Sequence, residues 1–418
     1  MTGVLARRPL ALSATFDEFD RRGIRWCLLR PLHEAGSPRG DIDILVGRGQ
    51  LDEACAIAHA AGFVTVPGVS HGRNLLQFDP HAAAWLWLHV VDELSFGRKY
   101  RLLTNVEDAL LARSRAVDGA RRLSPSDEFW ATLLHCELDK RRIPEHHRAG
   151  LQALARSSAH ESPLADLVRA VCPANVTPER VLGYAAQGDW QSLEGLGAPL
   201  ASAWEARGPT RPEQAWPRRL RGAVAYRARS WHRRGISVAL LGPDGAGKTT
   251  LADAIGRDFV LPVRRVYMGL TGGALERLLR VRVPGVALVG RVLVLWARYL
   301  RARWHQARGR LVVFDRYIYD AAVPTPHPLS PGQRTSRWLA GHAVPQPDLI
   351  LVLSAPGDVM FARKHAYSAD TLENWRQHFL ALARQFSSVV ILDATKPPDA
   401  VCTDAIAQIW ARYAARWR

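Results

Sequence analysis

Apolar residues recur along this chain in short runs, and the spacing inside each run predicts its element. Ala11 to Arg22 carries them at helical spacing, and Trp26-Cys27-Leu28-Leu29 follows as a strand. In Gly40-Asp41-Ile42-Asp43-Ile44-Leu45-Val46 two carboxylates alternate with apolar residues. A strand there puts Asp41 and Asp43 on one face. Leu51 to Ala61 reads as a helix, and Gly62-Phe63-Val64-Thr65-Val66 and Trp85 to Asp92 as further strands. At Ser124 the pattern turns helical. Ser124-Pro125-Ser126-Asp127-Glu128 has the form of a helix start, with Ser124 or Ser126 as cap. Apolar residues at helical spacing run from Phe129 to Arg142, and helices are expected to about Leu200, with breaks at Pro163, Pro173 and Pro178. His135 and Glu137 lie two apart and so share no helix face. With Glu145-His146-His147 beyond them, a solvated helical face is expected there, not a metal site.

Pro209, Pro212 and Pro217 then interrupt the pattern. Arg218 to Arg234 is dense in arginine, with Leu220, Val224, Tyr226 and Trp231 interleaved. Such a helix could rest on an anionic membrane surface. Its short apolar face favours a linker packed on the next domain. Beyond it, strands and helices alternate. Ile236 to Leu241 is an apolar strand, Leu251 to Ile255 opens a helix, and Val263 to Gly269 is a second strand and turn. Leu275 to Ala307 reads as a helix kinked at Pro284-Gly285 and buried between lobes. Arg310 to Tyr317, Pro347 to Leu353 and Ser387 to Asp393 read as strands, Pro356 to Lys364 as a turn and helix, and Pro398 onward as a closing helix. This alternation predicts a parallel sheet with helices on both faces.

Length and charge add limits. At 418 residues two domains or more are expected. The formal charge is +17, which would suit an anionic partner, yet only five of the 56 basic residues are lysines: Lys99, Lys140, Lys248, Lys364 and Lys396. That skew reads as a coding bias spread along the chain, and no RNA- or DNA-binding motif accompanies it, so nucleic acid is not the expected substrate. Five scattered cysteines, without C-x-x-C, fit a reducing cytoplasm with no disulfide framework or zinc site. No signal peptide is read at the N-terminus, and Val283 to Trp296, which contains Arg291, is too short to span a bilayer.

The chemistry concentrates in Gly242-Pro243-Asp244-Gly245-Ala246-Gly247-Lys248-Thr249-Thr250. It fits G-x-x-x-x-G-K-[ST] between a strand and a helix, the phosphate-binding P-loop. Gly242, Gly245 and Gly247 let backbone N–H groups curl round phosphate oxygens, and the helix N-terminus adds a favourable dipole. Lys248 would reach the β- and γ-phosphates, the Thr249 hydroxyl would sit on Mg²⁺, and Thr250 completes the loop. In Phe314-Asp315-Arg316-Tyr317 a strand delivers an acid that can order the water shell of Mg²⁺. Arg316 beside it can bridge phosphates as a fixed-charge fork.

Three pieces together resemble the thymidylate kinase family of P-loop kinases: the loop at 242–250, Asp315-Arg316-Tyr317, and Pro347-Asp348-Leu349 with Ala362-Arg363-Lys364 after it. The resemblance covers about residues 235–418 and implies an ATP- and Mg²⁺-dependent phosphotransferase. By it, Asp244 would touch an acceptor hydroxyl, Asp315 would organise Mg²⁺, Arg316 would hold phosphate, and Arg363 would lie near the adenine or the lid. His365 to Arg376 would be that lid, with Arg376 as a closing cation. The family's Arg-Glu-Pro-Gly-Gly segment is missing after the second strand, where only Thr271-Gly272-Gly273 stands, and Ile318-Tyr319-Asp320-Ala321-Ala322-Val323 departs from the family's thymine-reading residues. The donor site carries over; the acceptor site does not.

The first hundred or so residues resemble nucleotidyltransferases of the polymerase-β superfamily, with Asp41 and Asp43 as Mg²⁺ ligands. Asp92 is the first candidate for the third acid and Glu93 the next. Gly36-Ser37 sits too close to Asp41 for the family pattern, and Arg30 stands where a small residue is expected. The expected organisation is an α+β nucleotidyltransferase-like domain at 1–124, a helical extension at 125–200, a basic linker at 201–234 and an α/β kinase domain at 235–418. The expected function is transfer of the γ-phosphoryl of ATP to a nucleoside monophosphate or a divergent acceptor. Nucleotidyl transfer through Asp41 and Asp43, or a non-catalytic nucleotide-binding scaffold, is the alternative. A peripheral membrane contact through the linker and a homodimer stay open.

Overall fold

The computed structural model describes residues 9–31, 41–66, 72–157, 161–172, 176–211, 235–269, 286–319, 334–335, 338–339, 341–386 and 388–416. The linker arginines 218–234, Gly36-Ser37, Pro173, Pro284-Gly285, Thr271-Gly272-Gly273 and residues 320–323 lie outside these. The chain divides into two compact units, 1–216 and 217–418.

The N-terminal unit is built on a seven-stranded mixed sheet. Its strands are β1 (Trp26–Leu28), β2 (Asp41–Val46), β3 (Val64–Val66), β4 (Arg73–Asp79) and β5 (Ala84–Val91), with β8 (Arg115–Val117) and β9 (Ala120–Arg122) at one edge. The order is β3-β4-β5-β2-β1-β9-β8, and a two-stranded ribbon of β6 (Ser95–Phe96) and β7 (Leu102–Leu103) stands apart. β2 runs antiparallel to β1 and parallel to β5, with Asp41 opposite Trp87 and Asp43 opposite His89. The period of two sorts the core. Ile44 and Val46 pack with Phe16 and Phe19 of the helix Leu10–Arg21 and with Ala54 and Ile57 of the helix Leu51–Ala60. Leu45 and Val91 belong to a second core cluster with Phe129, Trp130 and Leu134.

Those three lie on the helix Pro125–Leu134, and the helices that follow it, out to Gly197–Arg207, share the same cluster. Ser124 caps the first, its Oγ accepting from Asp127 N at 3.3 Å. Pro125, Pro163 and Pro178 each sit in the first turn of a helix behind a Ser or Thr cap. Two of the three expected breaks, Pro163 and Pro178, therefore open helices, since proline's missing N–H is harmless there. The expected solvated face is corrected at two places: Glu137 is 4% exposed and His147 9%.

The C-terminal unit carries a five-stranded sheet of β10 (Ser237–Leu241), β11 (Val263–Tyr267), β12 (Leu311–Asp315), β13 (Leu349–Ser354) and β14 (Val389–Asp393). The order is β11-β12-β10-β13-β14, and every pair is parallel. β10, β12 and β13 are buried along nearly their whole length, as strands covered on both faces must be. β10 therefore lies between the third and fourth strands of the unit, the switch point at which open α/β sheets bind ligands beyond their carboxyl ends. Asp348 secures the base of this sheet. Its Oδ2 accepts from Ser237 N at 2.8 Å, Ser237 Oγ at 2.9 Å and Gln306 Nε2 at 2.7 Å, and Arg416 pairs with it too.

The helix before β12 spans Val286–Ala307. Expected to be buried between lobes, it instead leaves Val289, Leu293, Trp296, Leu300 and Trp304 exposed along one stripe. Among the described residues no helix is long and apolar enough to cross a membrane.

Candidate active site

The strand β10 ends at Leu241, and the chain turns through the glycine loop into the helix Lys248–Asp258. Gly242, Gly245 and Gly247 all take positive φ, at 143°, 85° and 95°. At Gly245 a Cβ would also stand 2.5 Å from Met360 O, and at Gly242 2.7 Å from Leu353 O. Side chains are thus excluded twice, by conformation and by space. The loop borders an open cleft of about 680 Å³, within the range usual for ligand sites.

Lys248 folds back on its own loop: Nζ donates to Gly242 O at 2.7 Å and Pro243 O at 2.8 Å. Asp244, at the loop's crest, gathers three cations. Lys248 Nζ stands 3.8 Å away, Arg316 Nη2 3.2 Å and Lys364 Nζ 3.3 Å. Burial alone would raise the Asp244 carboxyl, but the charges of Lys248, Arg316 and Lys364 outweigh it and hold the group below its ordinary value. Arg316 reaches Asp244 from a left-handed backbone, φ 64°. A non-glycine residue pays for that conformation with strain on the order of 1–3 kcal/mol, and such outliers cluster at functional sites.

Asp315, Thr249, Thr250 and Arg363 line the same cleft, so the predicted donor-site residues converge. Tyr317 does not join them. It is buried, and its hydroxyl donates to Pro345 O at 2.5 Å. Arg376, the expected closing cation, is bound to Glu373 at 2.6 Å and also donates to Ser354 Oγ at 3.3 Å. Two further cleft residues, Lys364 and Lys396, were given no role by sequence reasoning. The scarcity of lysine was legible, five in the chain, but that three of them (Lys248, Lys364 and Lys396) stand on one cleft shows only in the fold.

In the N-terminal unit Asp43 is 8% exposed, and both its oxygens are taken. Arg30 pairs with Oδ2, and His89 Nδ1 lies 2.9 Å from Oδ1. Burial pushes this carboxyl up, but the His89 hydrogen bond and the Arg30 charge outweigh it and leave it lowered. Asp41 is exposed and makes no hydrogen bond or ion pair with a described residue. Both acids line one cavity, whereas neither Asp92 nor Glu93 does; Glu93 pairs with Arg211. The strand position beside Asp43 belongs to His89. A metal on Asp43 would have to displace Arg30 or His89, and no group of three His, Cys, Asp or Glu among the described residues is arranged to hold a metal ion.

The parallel sheet, with a glycine loop leading from its central strand into a helix, defines a protein of the P-loop class. No family model matches the chain. The thymidylate kinase of Xanthomonas campestris pv. campestris (strain B100) is 30% identical over 206 residues, an alignment covering 44% of this chain and 87% of that protein. The thymidylate kinase of Oenococcus oeni is 26% identical over 221 residues, covering 42% and 94%. Among solved structures, a thymidylate kinase from Candida albicans aligns with 19% identity and a TM-score of 0.34, covering 41% of this chain and 89% of that one. Through its similarity to the Xanthomonas enzyme, the chain belongs to the thymidylate kinase family over 44% of its length.

Proposed function

We propose that the C-terminal unit is an ATP- and Mg²⁺-dependent phosphotransferase that moves the γ-phosphoryl of ATP to a dTMP-like nucleoside monophosphate or to a divergent acceptor. The observation that carries this is the Asp244 carboxylate, set inside the phosphate loop and held by Lys248, Arg316 and Lys364 at one cleft. The glycine cradle fits a polyphosphate, because a Cβ would fill the space that it leaves. Thr249 and Asp315 fit Mg²⁺, which keeps several waters and needs only one or two protein groups besides phosphate. ATP would supply the transferable phosphoryl group, and Mg²⁺ would neutralise charge on it.

The chain's own residues do the rest. Lys248 exchanges its two carbonyl partners for phosphate oxygens. Arg316 spans donor and acceptor phosphates, and Arg363 flanks the base. Asp244, kept ionised by its cations, accepts a hydrogen bond from an acceptor hydroxyl and so orients the acceptor beside the phosphate loop. Catalysis is then chiefly positioning and charge stabilisation. Nucleotidyl transfer through Asp41 and Asp43 is the weaker reading, because Asp43 is occupied by Arg30 and His89.

Asp244→Asn tests the assignment. ATP affinity should hold within a few-fold while phosphoryl transfer falls by about a hundredfold, the usual scale for one lost electrostatic contact. Unchanged turnover would remove Asp244 from the mechanism.

A further inference from the structure

The cavity of the N-terminal unit has no part in that reading. Its volume is about 150 Å³, roughly what one six-membered ring occupies. Two histidines line it, each with Nδ1 tied to a carboxylate. His89 meets Asp43 at 2.9 Å, and His135 meets Asp139 at 2.8 Å. Asp139 is fixed in turn, since its Oδ1 accepts from Gly97 N at 2.6 Å. A neutral His135 that donates Nδ1–H to Asp139 offers Nε2 as an acceptor.

That Nε2 and the Ser95 hydroxyl are buried with no hydrogen-bond partner among the described residues. Both residues line the cavity, and Ser95 is 4% exposed. Buried polar atoms are rarely left unpaired, so two beside one cavity point to a missing partner. A strained turn contributes to the lining. Lys99 and Tyr100 take φ 60° and 52°, left-handed for non-glycine residues, and Tyr100 lines the cavity.

The charges state what kind of partner. Asp41, Asp43 and Asp139 stand against one arginine, Arg30, which is paired with Asp43. The walls carry more carboxylates than cations, which favours a neutral or cationic occupant that brings donors. We propose that this cavity binds a small ring molecule bearing hydroxyl or amino groups, with Ser95 and His135 as its inner hydrogen-bond partners and Asp139 as the residue that positions His135. An anion would meet Asp41 and Asp139 and is disfavoured. The proposal stands apart from the kinase reading.

Calorimetric titration of the full chain tests it, with D-glucose, D-glucosamine and myo-inositol as probes, and glucose 6-phosphate and Mg-ATP as counter-probes. At least one of the first three should bind, and more tightly than glucose 6-phosphate. Ser95→Ala and His135→Phe should each weaken binding by about tenfold, the equivalent of one buried hydrogen bond. Lys248→Ala should leave it unchanged. Ser95→Ala is small enough to keep the fold, which circular dichroism checks. Failure of all three probes to bind the folded chain would overturn the proposal. So would binding that survives both substitutions, or Mg-ATP binding lost with Asp43→Asn but not with Lys248→Ala.

Discussion

Glu137 shows how much one side chain can set. It is 4% exposed, and burial, followed by the charge of Glu194, pushes its carboxyl up to about 8. In the unfolded chain the group titrates near ~4.3. Between these values the unfolded chain gives up a proton that the folded chain keeps, so stability falls as pH rises through the window. Glu137→Gln removes the ionisable group. The variant should be more stable than the wild type at pH 8 by about 1–3 kcal/mol, and its melting temperature should fall less between pH 5 and pH 8. Parallel pH profiles would contradict the assignment. At this scale the C-terminal site was legible, and the N-terminal one only at Asp41 and Asp43, which line its cavity. A P-loop is contiguous, so its residues announce each other. His135 pairs with Asp139, four residues on, whereas the eye falls on Glu137, two residues on and facing elsewhere. The spacing of four was in the sequence; what it lacked was the knowledge that β5 brings His89 and Asp43 to the same cavity.

Among elements, the phosphate loop is the most constrained. Gly245 has φ 85°, and a Cβ there would stand 2.5 Å from Met360 O. Gly245→Ala should therefore cost about 1–3 kcal/mol through conformation and contact together. It should also weaken ATP binding measurably, since the loop cannot keep its curl. Unchanged stability with unchanged ATP affinity would show that the loop relaxes freely. The long strands and helices were legible because their apolar spacing is regular. The hairpin β8–β9 was not, because only three residues flank each side of its Asp118-Gly119 turn. That turn takes φ 49° and 72°, as a two-residue hairpin requires. β4 escaped notice too: its pairing of Leu75 with Leu88 is visible only once the sheet is formed.

Across the whole molecule, each of the two units has its own core. Chains of this kind often unfold in more than one step. Mg-ATP should raise only the transition that belongs to residues 217–418. At a hundredfold excess over Kd the shift should be about 5–10 °C, and Lys248→Ala should abolish it. A shift of both transitions, or none, would contradict the placement of the nucleotide site. What the chain's length and charge could not convey is where the lysines gather. The +17 charge is spread in arginines, while Lys248, Lys364 and Lys396 share one cleft.

Transfer of label from γ-labelled ATP to dTMP by the purified full chain, with Lys248→Ala as control, is the most direct trial. A family membership that extends to chemistry predicts labelled dTDP from the wild type and a loss of about a hundredfold or more in the variant. ATP that binds to the cleft without label reaching dTMP, any other nucleoside monophosphate or a sugar would contradict a phosphotransferase.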